Sequence, residues 1–286
     1  MNEALSQLAD DFFQNSLNSS PTSAIMRGYK EYFDQIEELT ETRFEQNLED
    51  LDKFEKRLNE IDFNSLSKKE KVTHGMLEYA FASNKDSLHD KSWEFGAGVS
   101  GFTGYLIDYN QQMFIPDLES GDLLLKRLEL YNQFFIQVSL VQKKGLDENK
   151  VATERNILRT IDQIESYLKT SLDEDPLLLV NFSPKVSEKD ISSWKDKAKL
   201  IIESYVRPSV NSYLEQLKIA HLPKGRSDTN PGIMWIEGGE DIYLRSLRKF
   251  TGNKDITVQE VHETGLSEIE RLKKEFFEIG KNVFED

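Results

Sequence analysis

The sequence predicts a mostly α protein, with long antiparallel helices in an elongated array and at most a minor β-hairpin. Three observations predict it. Apolar residues recur at spacings of three and four along most of the 286 positions, the period of one helix face. Cap and stop residues bracket those periodic runs. Extended candidates are few: "PLLLVNF" at Pro176–Phe182 and "GIMWI" at Gly232–Ile236.

From Glu38 to Ile61 charged residues surround Leu39, Phe44, Leu48, Leu51, Phe54 and Leu58, which makes one amphipathic helix. Ser67 followed by Glu70 has the form of a capping box, in which the hydroxyl accepts the N3 amide and the carboxylate reaches back; this starts a second helix running to about Asn84. A third is expected over Asp122–Lys144, stopped by Gly145, and a fourth from about Asn149 to Thr170. A fifth, Ser187–Leu217, contains Pro208, which removes a backbone donor and clashes with the preceding turn, so a kink or break is expected there. After the connector "HLPKGRSDTNPG" come a short helix, Gly239–Phe250, and a final one from Thr257 to the end. Val258, Val261, Gly265, Ile269, Leu272, Phe276, Ile279 and Val283 form a stripe on that last helix which should be buried against something. The chain is expected to form one helical domain over 1–286 with a possible waist near 221–232.

Composition narrows the function classes. Thirty-six basic and 51 acidic residues give a net charge of −15, which repels phosphate backbones and argues against a nucleic-acid partner. There is no cysteine, so thiolate metal sites, thiol nucleophiles and disulfides are all excluded. No apolar run approaches the roughly 20 residues of a spanning helix, and "MNEALSQLADDFF" lacks the basic and apolar regions of a secretory signal. As written the chain reads as soluble with no address. A signal removed upstream would make it periplasmic or lipid-anchored; otherwise it would be cytoplasmic.

The chemistry-bearing candidates are sparse. His262-Glu263 opens like a zinc-peptidase helix, but that motif needs a second imidazole one turn on, and position i+4 is Leu266. None of the four histidines, His74, His89, His221 and His262, makes a His-x-x-x-His pair. Glu70, His74 and Glu78 share a helix face, where ion pairing or solvation explains them. His221, near a helix end, suits the helix dipole as a partly charged imidazole. Gly96-x-Gly98-x-x-Gly101 matches a dinucleotide fingerprint on paper, yet polar "DKSWE" stands where a buried strand is required. Its aromatic surroundings, Trp93, Phe95, Phe102, Tyr105 and Tyr109, fit either a cleft lining or a cap on the core. Gly238-Gly239 makes a sharp turn into a helix with Glu240 and Asp241 in its first turn, beside Trp235, Tyr243 and Arg245. No residues are assigned to catalysis, to a cofactor or to a metal, and no nucleophile and base pair emerges.

The segment from Gly232 to Glu275, "GIMWIEGGEDIYLRSLRKFTGNKDITVQEVHETGLSEIERLKKE", resembles the bacterial domain of unknown function 885 family. There a Gly-containing turn, a Tyr-bearing helix, a Thr and an Ile/Val-His-x-x-Gly-Leu-x-Glu-Val/Ile helix follow in order. "LLLKRLELYNQFF" resembles that family's Leu-x-Arg-Leu helix, and "GLDENKVATERNILRTIDQIESYL" the helix after it, without the Pro-Arg pair usual there. The resemblance implies a mostly helical protein about twice this length, similar to zinc metallopeptidases, whose His-Glu-x-x-Pro-Gly-His-His motif lies in a C-terminal half beyond this chain. It implies that this chain is the scaffold and substrate-cleft half of a zinc-dependent peptidase-like hydrolase, inactive alone, with zinc expected only in the other half. The candidate substrate-cleft residues are Trp235, Tyr243, Arg245 and His262, and the ligand a peptide or small molecule. The alternative is a non-catalytic helical ligand- or protein-binding module. The expected partner of the last helix is the protein's own C-terminal half or a second copy.

Overall fold

Side-chain caps set most of the helix starts. In the computed structural model, which describes residues 2–96 and 109–283, the chain divides into two units, Met1–Pro231 and Gly232–Asp286. In the first, Asn2 caps α1 (Glu3–Ser19) by accepting the Leu5 amide at 3.0 Å. Helix α2 (Pro21–Met26) follows directly, with its proline in the first turn where no amide partner is lost. Thr40 caps α3 (Glu41–Asn59), and the Ser67/Glu70 capping box starts α4 (Lys68–Asp90) as the sequence predicts. Lys85, late in α4, bridges Asp52 (2.6 Å) and Glu55 (2.5 Å) in the second half of α3, and Phe44 at the start of α3 stacks on Trp93 just past the end of α4, so the two helices run antiparallel. Leu5 and Leu8 of α1, Leu51, Phe54 and Leu58 of α3, and Leu77 and Phe81 of α4 close a small core.

The larger core is built on a long central helix. Helix α5 (Tyr109–Gln112) and strand β1 (Phe114–Ile115) lead into α6 (Leu118–Asp147), which buries Leu124, Leu128, Tyr131 and Phe135. Helix α7 (Glu154–Lys169) adds Ile157, Ile161 and Ile164, one stripe at helical spacing. Strand β2 (Asn181–Phe182) pairs with β1, and because α6 and α7 intervene the pair is parallel rather than a hairpin. Helix α8 (Glu188–Ile201) contributes Trp194, whose indole donates to the Gly121 carbonyl of α6 at 2.7 Å.

Two arginines, one buried and one half-buried, fasten the irregular segments. Arg127, fully buried on α6, donates to the Gln35 carbonyl and to the Thr22 hydroxyl (2.6 Å), with the Glu37 carboxylate 3.9 Å away. Glu37 in turn accepts the Thr22 amide (2.9 Å) and hydroxyl (2.8 Å). Arg207 reaches the buried Asp175 carboxylate at 2.9 Å and the Thr170 carbonyl at 2.8 Å, holding the loop after α7. Buried charges are tolerated because each has both an ionic and a hydrogen-bonding partner.

Several expectations are corrected. The helix does not break at Pro208. Ile202–Val206 widens into a π turn, and α9 (Arg207–Gln216) resumes with the proline in its first turn, so the missing amide and the ring meet a loosened ladder. The same device recurs at Leu217–His221, two residues before Pro223. Gly145 lies inside α6, and left-handed Asn149 (φ 57°) follows the helix end instead. "GIMWI" is a 3-10 turn, Ile233–Trp235, not a strand, whereas "PLLLVNF" is a 3-10 turn followed by β2. Helices α1 and α2 have no counterpart in the sequence prediction.

The second unit holds that turn, α10 (Gly239–Thr251) and α11 (Val258–Val283). Thr257 and Glu260 form a second capping box, with reciprocal bonds of 3.2 and 2.9 Å. The apolar stripe of α11 is not buried. Leu272 is 40% and Phe276 71% exposed, because no described residue of its own unit covers that face. Among the described residues no helix is long and apolar enough to cross a membrane.

Glycine contacts give a paired stability prediction. A Cβ on Gly145 would collide with the Glu94 carbonyl, whereas one on Gly75, inside α4, meets nothing. Gly145→Ala is expected to destabilise by about 1–3 kcal/mol, and Gly75→Ala to stabilise by about 0.5–1 kcal/mol. Urea midpoints at constant slope measure both.

Candidate functional site

The residues singled out in sequence lie in the second unit. Gly238 is left-handed (φ 70°), and a Cβ on Gly239 would strike the Ile233 carbonyl, so the double glycine is what lets α10 start against the 3-10 turn. Trp235 is 54% and Tyr243 42% exposed, Arg245 is half-buried, and His262 is exposed on the second turn of α11. Backbone packing therefore accounts for the Gly-Gly turn, and the surrounding aromatic and basic side chains remain accessible.

Among the hollows of the first unit are two clefts of about 360 Å³ each, within the range of small-molecule sites. Leu88 and Trp93 border both. The first cleft lies among α1, α2, α3 and α4. Its polar lining is Asn15, Asn47 and Asn84 with serines from α1, α2 and α4; Phe12 and Leu51 supply apolar wall, and Arg27 is its charged residue. The second lies between α3, the end of α4 and α6. Leu48, Leu140 and Val141 join Phe44 in a more apolar wall, and Glu41 and Lys144 pair at 2.6 Å on its rim.

Trp93 is held firmly. Phe44 stacks on it at 3.8 Å between centroids and 20° between planes. The 3-10 turn Ser92–Glu94 docks where Gly145 leaves room, and the buried Glu94 carboxylate takes the Lys150 ammonium at 2.8 Å. Lys91, just before it, holds a left-handed conformation (φ 46°), which a non-glycine residue adopts only under local constraint. The sequence marked Trp93 as a possible cleft aromatic; Phe102 and Tyr105, with Gly98 and Gly101, lie outside the described residues. It gave no sign of the Ser and Asn lining, whose members come together only in the tertiary fold.

Among the described residues no group of three His, Cys, Asp or Glu is placed to hold a metal. Glu70 is committed to the capping box and to the Asn2 amide, and those bonds pull its carboxyl well below the ordinary range. His74 packs edge-on against Phe63 at 5.2 Å.

The sequence matches the bacterial family of unknown function DUF885 over residues 21–286. The chain belongs to that family. A crystal structure described as "the putative lipoprotein from Colwellia psychrerythraea" is similar in fold, with a TM-score of 0.75 at 14% identity, covering 97% of this chain and 51% of that one. This DUF885 chain thus spans about half the length of that structure. No curated protein matches the sequence.

His221 of this DUF885 chain corrects a further expectation. It is buried in the second π turn, with Nδ1 3.3 Å from the Gln216 carbonyl and, among the described residues, no partner for Nε2. Burial, more than the nearby Lys224, pushes its pKa below the ordinary value, so the ring is neutral rather than a charged dipole partner. A depressed folded pKa stabilises above the unfolded value of about 6.5 and loses that contribution as pH falls. Stability measured by denaturant between pH 7.5 and about 5 should fall more steeply in the parent chain than in His221→Gln. Equal slopes would contradict the assignment.

Proposed function

We propose that this chain is the scaffold and substrate-cleft part of a zinc-dependent, peptidase-like hydrolase, inactive alone, with its zinc ligands carried on a partner segment. The observation that carries the reading is the exposed stripe of α11, from Val258 to Val283, whose heptad-like spacing is that of a helix packed along its length. The likeness to half of a larger structure is consistent with a second half that covers it. Trp235, Tyr243, Arg245 and His262 share the unit that bears this face, and in this reading they contact peptide. The second reading, a non-catalytic helical ligand- or protein-binding module, is favoured by the two clefts, which the first unit forms from its own residues.

Metal content and association test the proposal. Protein purified without a metal-binding tag and dialysed against zinc is expected to hold far less than one equivalent by mass spectrometry; stoichiometric zinc would overturn the assignment of the ligands to another segment. In light scattering the chain is expected to self-associate with rising concentration, and Ile269→Lys with Phe276→Lys to abolish this at unchanged helix content. A parent chain that stays monomeric and binds no hydrophobic dye would favour the module reading.

A further inference from the structure

We propose that the cleft among α1, α2, α3 and α4 binds a neutral saccharide. Its lining is hydroxyl- and amide-rich and, among the described residues, contains no carboxylate, although 51 of the 286 residues are acidic. A side-chain amide offers two donors and an acceptor in one plane, and a hydroxyl does both jobs, which is the complement of a sugar's vicinal hydroxyls. Much of this capacity is open among the described residues. Asn84 has no hydrogen-bond partner there; Asn47 uses only its carbonyl, accepting from Ser19 at 3.4 Å; Asn15 uses only its amide, donating to Asp50 at 3.4 Å.

Trp93 provides the other half of the recognition. An aromatic ring has a negative face, to which the C–H surface of a pyranose ring is attracted, and burying that surface adds a hydrophobic contribution. Phe44 fixes the indole in place, so no ordering of the ring is needed on binding. Two other chemistries for such a hollow fit less well. An anion would meet a single cation, Arg27, whose guanidinium already stands 5.9 Å over the Phe13 ring, on a chain of net charge −15. A purely apolar group is better matched by the neighbouring cleft with Leu48, Leu140 and Val141.

The test is fluorescence titration of the Trp235→Phe chain, in which Trp93 is the responsive indole because Trp194 is buried. The probes are maltotriose, the trimer of N-acetylglucosamine, inorganic phosphate and a capped phenylalanine dipeptide. Saturable binding of one trisaccharide in the millimolar range or tighter is expected, with Asn47→Ala and Asn84→Ala each weakening it by about threefold to tenfold at unchanged circular dichroism. Tighter binding of phosphate or of the dipeptide, no trisaccharide binding at tens of millimolar, or saccharide binding indifferent to both asparagine variants would overturn the proposal. The readout is binding by this chain alone, so it stands or falls separately from the hydrolase reading.

Discussion

The buried guanidinium of Arg127 is the constraint on which the first unit depends. A cation enclosed on the central helix needs partners, and Thr22, Gln35 and Glu37, which otherwise belong to short or irregular segments, supply them. Satisfying one charge therefore fixes the path of the chain from α2 to the start of α3. Ser20 and Ser23, the neighbours of Thr22, line the first cleft, so its wall is set by an electrostatic requirement in the core. Arg207 and Asp175 repeat the arrangement on the loop before β2.

What was legible in the sequence is what is local. The Ser67/Glu70 cap, the helix expected between Asn149 and Thr170 and the turn into α10 depend on residues within a few positions of one another, and they appear where their spacing puts them. What was not legible depends on distant contacts. Gly145 reads as a stop until Glu94 is placed against it, and His221 reads as a charged cap until its burial is seen. The stripe of α11 shows the opposite limit, since periodicity announces that a face will pack but not whether the packing partner lies in the same stretch of chain.

The clefts follow the same division. Trp93 could be singled out because aromatic residues beside glycines are conspicuous. Asn15, Asn47 and Asn84 could not, because each is an ordinary polar residue on its own helix and they acquire joint meaning only when α1, α3 and α4 converge. Acidic residues outnumber basic ones in the chain as a whole, yet among the described residues none lines that first cleft, so its local chemistry differs from the average that composition reports.

The π turn at Ile202–Val206 has a consequence for phasing. Trp194, Ala198, Ile202, Val206, Val210 and Leu214 are all buried at intervals of four, a period that an ideal helix of 3.6 residues per turn lets drift by about 40° at each step. The wide turn takes up one extra residue, about 100° of that drift, and so keeps one file of side chains facing α6 across two helices and a proline. Phase in this stretch is thereby buffered against chain length: removal of a single residue from the π turn would return it to an ordinary α turn with Val210 and Leu214 still facing the core, whereas the same deletion within α8 or α9 would rotate everything after it by about 100°.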